Sequence, residues 1–77
     1  MLKMDKTLDI QGVTNPTAWI MTKQTLDAME SGQVLRVVTD NRQTALCVMT
    51  LCERLGCGLP ERSEDNGRLV LTIRKQS

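Results

Sequence analysis

The sequence predicts a two-layer α/β sandwich in which two helices pack on one face of a four-stranded mixed sheet. Strand-like and helix-like segments alternate in the order β-α-β-α-β-β. Each helix-like segment begins at an Asn and ends at a Gly, with Asn15 and Gly32 around the first and Asn41 and Gly56 around the second. Asn66-Gly67 separates the last two strand-like segments and predicts a tight hairpin turn, because both residues readily adopt positive φ angles.

The first strand is predicted over Thr7 to Gln11, where apolar and polar residues alternate. Asn15 is predicted to be the N-cap of the first helix, because its side-chain oxygen can accept a free backbone N–H at the helix start. Pro16 would then be the first helical residue, and the helix is expected to run to about Glu30. The side expected to face the sheet carries Ala18, Trp19, Thr22, Leu26 and Met29.

Two large apolar residues in the same helix, Ile20 and Met21, fall outside that side and are expected to face solvent. They stand close to the turn that begins the helix and would suit a surface where a partner protein docks. The alternative is that they have no function, because single exposed apolar residues are common on protein surfaces.

The second strand is predicted over Gln33 to Thr39, and its high content of Val and Leu indicates a central position in the sheet. Asn41 is the predicted cap of the second helix, which is expected over Arg42 to Leu55 and to end at Gly56. The face of this helix that is expected to be buried carries Ala45, Val48, Leu51, Cys52 and Leu55.

The last two strands are predicted to form a hairpin at one edge of the sheet. Pro60 restricts the segment Leu59 to Ser63 to an edge, because Pro cannot donate a hydrogen bond to a neighbouring strand. The final strand is predicted over Arg68 to Lys75. Its inward residues are expected to be Leu69, Leu71 and Ile73, and its outward residues Val70, Thr72 and Arg74.

Length and composition limit the possible functions. The 77 residues predict a single domain over residues 1–77, and its core must be almost entirely aliphatic because Trp19 is the sole aromatic residue. The chain has no His, which removes the commonest general base and metal ligand, so no catalytic residue, metal or cofactor is predicted. A net charge of +1 and the lack of apolar runs of membrane-spanning length make nucleic acid and membranes unlikely partners, and favour a cytoplasmic location.

The three cysteines differ in their expected surroundings. Cys52 lies on the buried face of the second helix, whereas Cys47 is expected at the edge of the core or exposed, with ordinary reactivity. Cys57 lies between two glycines in a predicted loop, with Arg54 nearby in sequence, and is the thiol expected to be most accessible. The spacing of the three sulfurs does not predict a zinc site.

The chain resembles the TusA/SirA family of small sulfur-carrier proteins. The resemblance rests on the pattern Asp9-x-x-Gly12-x-x-Asn15-Pro16, the long first helix, the segment Ser31 to Val37 and the closing segment Leu71 to Lys75. At the strand-to-helix turn the family has Asp-x-x-Gly-x-x-Cys-Pro-x-Pro, and its Cys carries a persulfide that passes between proteins. Here Asn15 occupies the position of that Cys, and Ala18 occupies the position of the second Pro.

The resemblance and the lost thiol together predict a non-catalytic protein-binding module, associated with proteins of a sulfur relay. Its predicted contact residues are Asn15, Pro16, Ile20 and Met21. The alternative is a sulfur carrier or sulfurtransferase whose thiol has moved elsewhere in the chain, with Cys57 as the candidate position. A third hypothesis, nucleic-acid binding through the basic end of the last strand, lacks the aromatic residues on which bases stack.

Overall fold

A computed structural model of the protein describes residues 5–58 and 60–76, which form six elements in the predicted order. The elements are β1 (Lys6–Asp9), α1 (Thr17–Ala28), β2 (Val34–Thr39), α2 (Arg42–Arg54), β3 (Glu61–Asp65) and β4 (Arg68–Arg74). The strands form one sheet in the order β1-β2-β4-β3, in which β1 is parallel to β2 and the other pairs are antiparallel. The predicted α/β sandwich with a mixed sheet is therefore confirmed.

The central strand is β2, as its Val-rich sequence predicts. It pairs with β1 on one side, where Leu8 lies opposite Val37, and with β4 on the other, where Val37 lies opposite Leu71. Residues of the two helices cover this face of the sheet and form one core with it. The buried members of the core are Ile10, Ala18, Leu26, Met29, Leu35, Val37, Ala45, Val48, Cys52, Leu69, Leu71 and Ile73.

On β4, the predicted inward residues Leu69, Leu71 and Ile73 are buried in the core. Val70 is also buried, contrary to the expectation that it faces solvent. By the alternation of a strand it points away from the helices, but it lies between Val38 of β2 and Ser63 of β3. Neighbours on both sides therefore cover a side chain that would be open on an edge strand.

Helix α1 begins differently from the prediction. Pro16 occupies the N-cap position and no side chain caps the helix, so the predicted capping role of Asn15 is wrong. Asn15 lies one residue outside the cap, and a main-chain carbonyl before the helix accepts one free amide of the first turn, that of Ala18, whereas the Ile20 amide makes the first bond within the helix. The Ala18 N–H donates to the Thr14 carbonyl and the Ile20 N–H donates to the Pro16 carbonyl, each at 3.0 Å.

The end of α1 also precedes its predicted position at Ser31-Gly32. The last helical residue is Ala28, and Met29 turns into an extended conformation with its side chain buried in the core. Lys75, from the segment after β4, donates from Nζ to the Leu26 carbonyl at 2.6 Å. The Leu26 carbonyl also accepts the Met29 N–H at 3.1 Å, so the distant cation adds a second hydrogen bond at the end of the helix.

Helix α2 has the predicted cap at its start and a glycine turn at its end. Asn41 Oδ1 accepts the amide N–H groups of Gln43 at 2.9 Å and Thr44 at 3.1 Å, so the predicted cap is confirmed. After the last helical residue, Gly56 adopts a φ of +75°. The Cys57 N–H donates to the Cys52 carbonyl at 2.8 Å, and the Gly56 N–H donates to the Glu53 carbonyl at 3.1 Å. These two bonds define a Schellman motif.

The hairpin at the edge of the sheet is also confirmed. Asn66 and Gly67 have φ angles of 52° and 79° and join the pair formed by Asp65 and Arg68. Every residue of β3 is exposed, as suits an edge strand with charged side chains. This strand begins at Glu61, directly after Pro60, whereas the predicted strand included Pro60 and began at Leu59, which lies outside the described residues. Within the described part of the chain, neither helix is long and apolar enough to cross a membrane.

Replacing Asn41 with Ala is expected to lower the free energy of unfolding by about 1 kcal/mol, because two backbone N–H groups of α2 lose their acceptor. Asn15→Ala is the matched control and is expected to cost much less, because Asn15 caps no helix. Urea denaturation followed by circular dichroism measures both values. Equal losses for the two variants would contradict the assignment of the caps.

Burial of Cys52 predicts a pH-dependent contribution to stability. Loss of solvation, with a smaller effect of nearby Cys57, raises the pKa of the Cys52 thiol from 9.0 to about 12. Below about pH 9 the thiol is protonated in both the folded and the unfolded chain, and the contribution of the protonated thiol to the free energy of unfolding is complete. Between about pH 9 and the folded pKa of about 12, the unfolded state has lost its proton while the folded state keeps it, so stability falls by up to about 1.4 kcal/mol per pH unit, and the contribution is lost once the pH has passed the folded pKa.

The measurement is urea denaturation of the wild-type chain and of a Cys52→Ala variant at a series of pH values. The stability advantage of the wild-type chain is expected to shrink as the pH rises above about 9, the ordinary pKa of the thiol. A difference that does not change with pH would contradict the raised pKa of Cys52.

Candidate functional site

The turns that precede the two helices lie side by side at one edge of the sheet. Since β1 and β2 are parallel, both strands end at that edge, and each is followed by a helix that begins there. The Gly12 N–H donates to Asp40 Oδ1 at 3.3 Å, which joins the turn after β1 to the turn after β2. The candidate site is built where these two turns meet.

Asp9, the last residue of β1, holds the first of these turns. Its Oδ1 accepts the Gln11 backbone N–H at 3.0 Å and the Gln11 side-chain amide at 3.1 Å. The backbone hydrogen bond is the main cause that lowers the pKa of the Asp9 carboxyl, and the side-chain bond adds to it. The carboxylate therefore stays ionised at neutral pH and orders the turn, which is a structural role and not that of a proton donor.

At the centre of the site, an amide from the first turn contacts a thiol from α2. Asn15 Nδ2 donates to the sulfur of Cys47 at 3.2 Å. Cys47 is half-buried, and Asn15 is exposed. The family's reactive position thus has no thiol of its own, but a thiol from the neighbouring helix lies within hydrogen-bond distance of it.

Sequence reasoning assigned no role to Cys47, because the two residues are far apart in the chain and neither belongs to a common motif. The signal that could have found the contact is topological. If the first two strands are parallel neighbours, the starts of both helices lie at the same edge of the sheet. Residues of the first turns of one helix then come close to the loop that precedes the other.

Beside this contact, a groove runs between α1 and α2. It has a volume of about 270 Å³ and is open to solvent, and its lining residues are Trp19, Leu46, Cys47, Thr50 and Arg54. Trp19 was predicted to face the sheet, but it is half-buried and lines this groove, whereas Leu46 is 54% exposed. The physical cause is that the buried residues of α1 are spaced four apart, at Ala18, Thr22 and Leu26, so the side facing the core is narrower than predicted and Trp19 lies beside it.

The four predicted contact residues divide into two groups. Asn15 and Pro16 are exposed, and Ile20 is 44% exposed. Met21 is half-buried and packs against the core, so the expectation that it faces solvent is wrong. Its flexible side chain lies at the border of the core, which leaves part of it accessible from outside.

Cys57, the candidate for a relocated thiol, lies elsewhere. It follows the far end of α2, is half-buried, and packs against the core near Cys52. The seven residue-to-residue steps from Cys47 to Arg54, the end of α2, alone correspond to about 10 Å of helix. The backbone of Cys57 is part of the Schellman motif and not of a free loop. The thiol that contacts Asn15 is that of Cys47.

Three of the four basic residues expected to form a patch near the last strand share one face of the sheet, and the fourth does not. Strand alternation and register put Arg36, Arg68 and Arg74 on the face of the sheet that the helices leave open. Lys75 instead reaches the end of α1 through its bond to the Leu26 carbonyl.

Among residues 5–58 and 60–76, no group of three or more Cys, Asp or Glu side chains is arranged to hold a metal ion.

Comparison with known proteins assigns the fold and the turn to one family. The sequence model described as "Sulfurtransferase TusA" matches residues 6–75. The crystal structure of a SirA-like protein from Desulfitobacterium hafniense superposes with a TM-score of 0.80 at 28% identity, and the match covers 94% of this chain and 99% of that one.

Two curated relatives agree with this result. The "Sulfur carrier protein TusA" of Allochromatium vinosum is 32% identical over 97% of this chain and 99% of its own length. A "Putative sulfur carrier protein" of Aquifex aeolicus is 30% identical over 99% of this chain, which spans only 39% of that longer relative. The family match over residues 6–75 and these relatives show that the chain belongs to the TusA family, whose members include sulfur carrier proteins.

Proposed function

We propose that this chain is a protein-binding module of a sulfur relay that docks like a carrier but holds no sulfur at position 15. The observation that carries the proposal is the exposed surface at the start of α1. There the family's sulfur-bearing residue is replaced by the amide of Asn15, while apolar Ile20 remains 44% exposed close by. We name Asn15, Pro16, Ile20 and Met21 the docking surface.

The chemistry of Asn15 supports this proposal. A carboxamide is not a nucleophile and cannot form a persulfide, whereas a thiolate is a nucleophile and can form one. The amide is hydrogen-bonded to Cys47 and contributes to the shape of the surface. A chain with this surface and no sulfur would occupy the site of a carrier on a relay protein and so compete with loaded carriers. Its effect on the relay would be regulatory.

The test uses the cysteine desulfurase and the thiol-bearing carriers of the same organism. Calorimetry is expected to detect binding of the chain to the desulfurase or to a sulfur acceptor. An Ile20→Asp variant is expected to bind at least about tenfold more weakly, because a charge replaces an apolar contact. Ser63→Asp is the matched control, since Ser63 is exposed on β3, at the opposite side of the sheet from β1, and it is expected to bind like the wild-type chain. Equal binding by both variants, or no binding of the wild-type chain, would contradict the proposal.

A second candidate function is sulfur transfer through a relocated thiol, and the structure favours Cys47 over Cys57 for that role. The specific observation is the 3.2 Å contact between Asn15 Nδ2 and the Cys47 sulfur. Cys47 also lines the groove between the helices and is therefore reachable from solvent.

The transfer needs no oxidant if the donor is itself a persulfide. The Cys47 thiolate would attack the outer sulfur of the donor and form a new S–S bond. The donor's own S–S bond would break, and its electron pair would remain on the donor sulfur as a thiolate. That thiolate takes up the proton that Cys47 released, so one sulfur atom moves and the donor ends as a thiol.

Sulfur loading separates the two candidate functions. The protein is exposed to polysulfide, or to a desulfurase with cysteine, and added sulfur is located by peptide mass mapping. The docking proposal predicts no sulfur that can be passed to an acceptor from the wild-type chain. An Asn15→Cys variant in a Cys47→Ser background is the positive control and is expected to gain such sulfur.

The second candidate instead predicts transferable sulfur on Cys47 of the wild-type chain. That sulfur would be lost in Cys47→Ser and retained in Cys57→Ser. If sulfur is transferable and maps to Cys57, both the docking proposal and the Cys47 assignment are wrong.

A further inference from the structure

We infer that the groove between α1 and α2 receives a segment of a partner protein in which an apolar side chain stands next to an acidic one. This inference rests on the proposed docking function and specifies the chemistry of the partner. The groove is the one lined by Trp19, Leu46, Cys47, Thr50 and Arg54.

The apolar part of the groove fits one side chain. Trp19 and Leu46 face it from the two helices, and Leu46 and Ile20 are the two large apolar residues that stand exposed among residues 5–58 and 60–76. The cavity of about 270 Å³ lies below the range of roughly 300–1,000 Å³ that is typical of small-molecule and cofactor sites. The groove is also open to solvent, which favours an anchoring side chain presented by a protein surface over a small molecule that must be buried on most sides.

The charge of the groove selects an acidic neighbour for that anchor. Arg54 is the one charged residue among those that line the groove. No ion pair among the described residues involves Arg54. By contrast, Lys23, the cation on α1 that is nearest to Trp19 in sequence, is paired with Asp27 at 2.8 Å. A guanidinium offers a carboxylate two parallel hydrogen bonds. An acidic side chain on the partner would complete the pair.

The groove also continues from the docking surface. Cys47 lines the groove and accepts the hydrogen bond of Asn15, so the two surfaces meet at this contact. A partner seated on the docking surface would reach the groove without any change of the backbone. Charge at the rim of such an interface acts mainly on partner choice and on the rate of association.

A random peptide library displayed on phage tests the inference by charge reversal. Peptides selected on the wild-type chain are expected to carry Asp or Glu next to Leu, Ile, Met or Phe. The affinity of a selected peptide is expected to fall about tenfold or more for Arg54→Glu, and to recover when the acid of the peptide is replaced by Lys. Leu46→Ser is expected to weaken binding as well. Trp19 is the sole Trp of the chain, so a shift of its fluorescence reports occupation of the groove.

The matched control is Arg42→Glu, which reverses a charge on the same helix outside the groove and is expected to leave peptide affinity unchanged. The inference is overturned if selected peptides lack acidic residues, bind Arg54→Glu as well as the wild-type chain, or leave the Trp19 fluorescence unchanged. It is also overturned if a second copy of the chain fills the groove. In that case the wild-type chain would form a dimer and the Leu46→Ser variant would not.

The proposed docking function fails in a different way. In that case Ile20→Asp leaves the affinity for the relay proteins unchanged, whatever the library selects. Conversely, if Ile20→Asp abolishes binding of the relay proteins while Arg54→Glu has no effect on peptides, only the inference about the groove is wrong.

Discussion

The parallel pairing of β1 with β2 is the constraint on which the rest of the site depends. It places the starts of both helices at one edge of the sheet and brings Asn15 to Cys47 and Gly12 to Asp40. The valine-rich centre of the sheet fixes the register of this pairing, because a shift by one residue would exchange the buried and the open faces. The site is thus a consequence of core packing and is held by a rigid scaffold.

Position 15 combines the backbone of the family's turn with a different side chain. The turn of the TusA family is present, with Asp9 ordering its first part and Pro16 at the cap position of α1. The family's nucleophile is absent, and the Asn15 amide is directed at a thiol of the neighbouring helix. The missing thiol at position 15 is the basis for the docking proposal, and the nearby thiol is the basis for Cys47 as its alternative.

The sequence predicted those features that local chemistry determines. Neighbouring residues in the sequence determine these features, which are the element order, the Asn41 cap, the Asn66-Gly67 hairpin and the central position of β2. Features that depend on contacts between distant residues could not be predicted in this way. The Thr14 carbonyl accepts an amide of the first turn of α1, where a side-chain cap was expected. Lys75 bonds to an end of α1 that comes earlier than expected. The contact between Asn15 and Cys47 joins residues 32 positions apart and required the topology.

The most direct test of the account is a map of the surface that a relay protein covers. Amide chemical shifts of the isotope-labelled chain are measured by NMR before and after addition of the desulfurase or acceptor that it binds. The account predicts shifts concentrated at residues 15–21 and at the groove residues of α2, with the open face of the sheet unaffected. Shifts concentrated on the open face, at β3 and at β4, would contradict it.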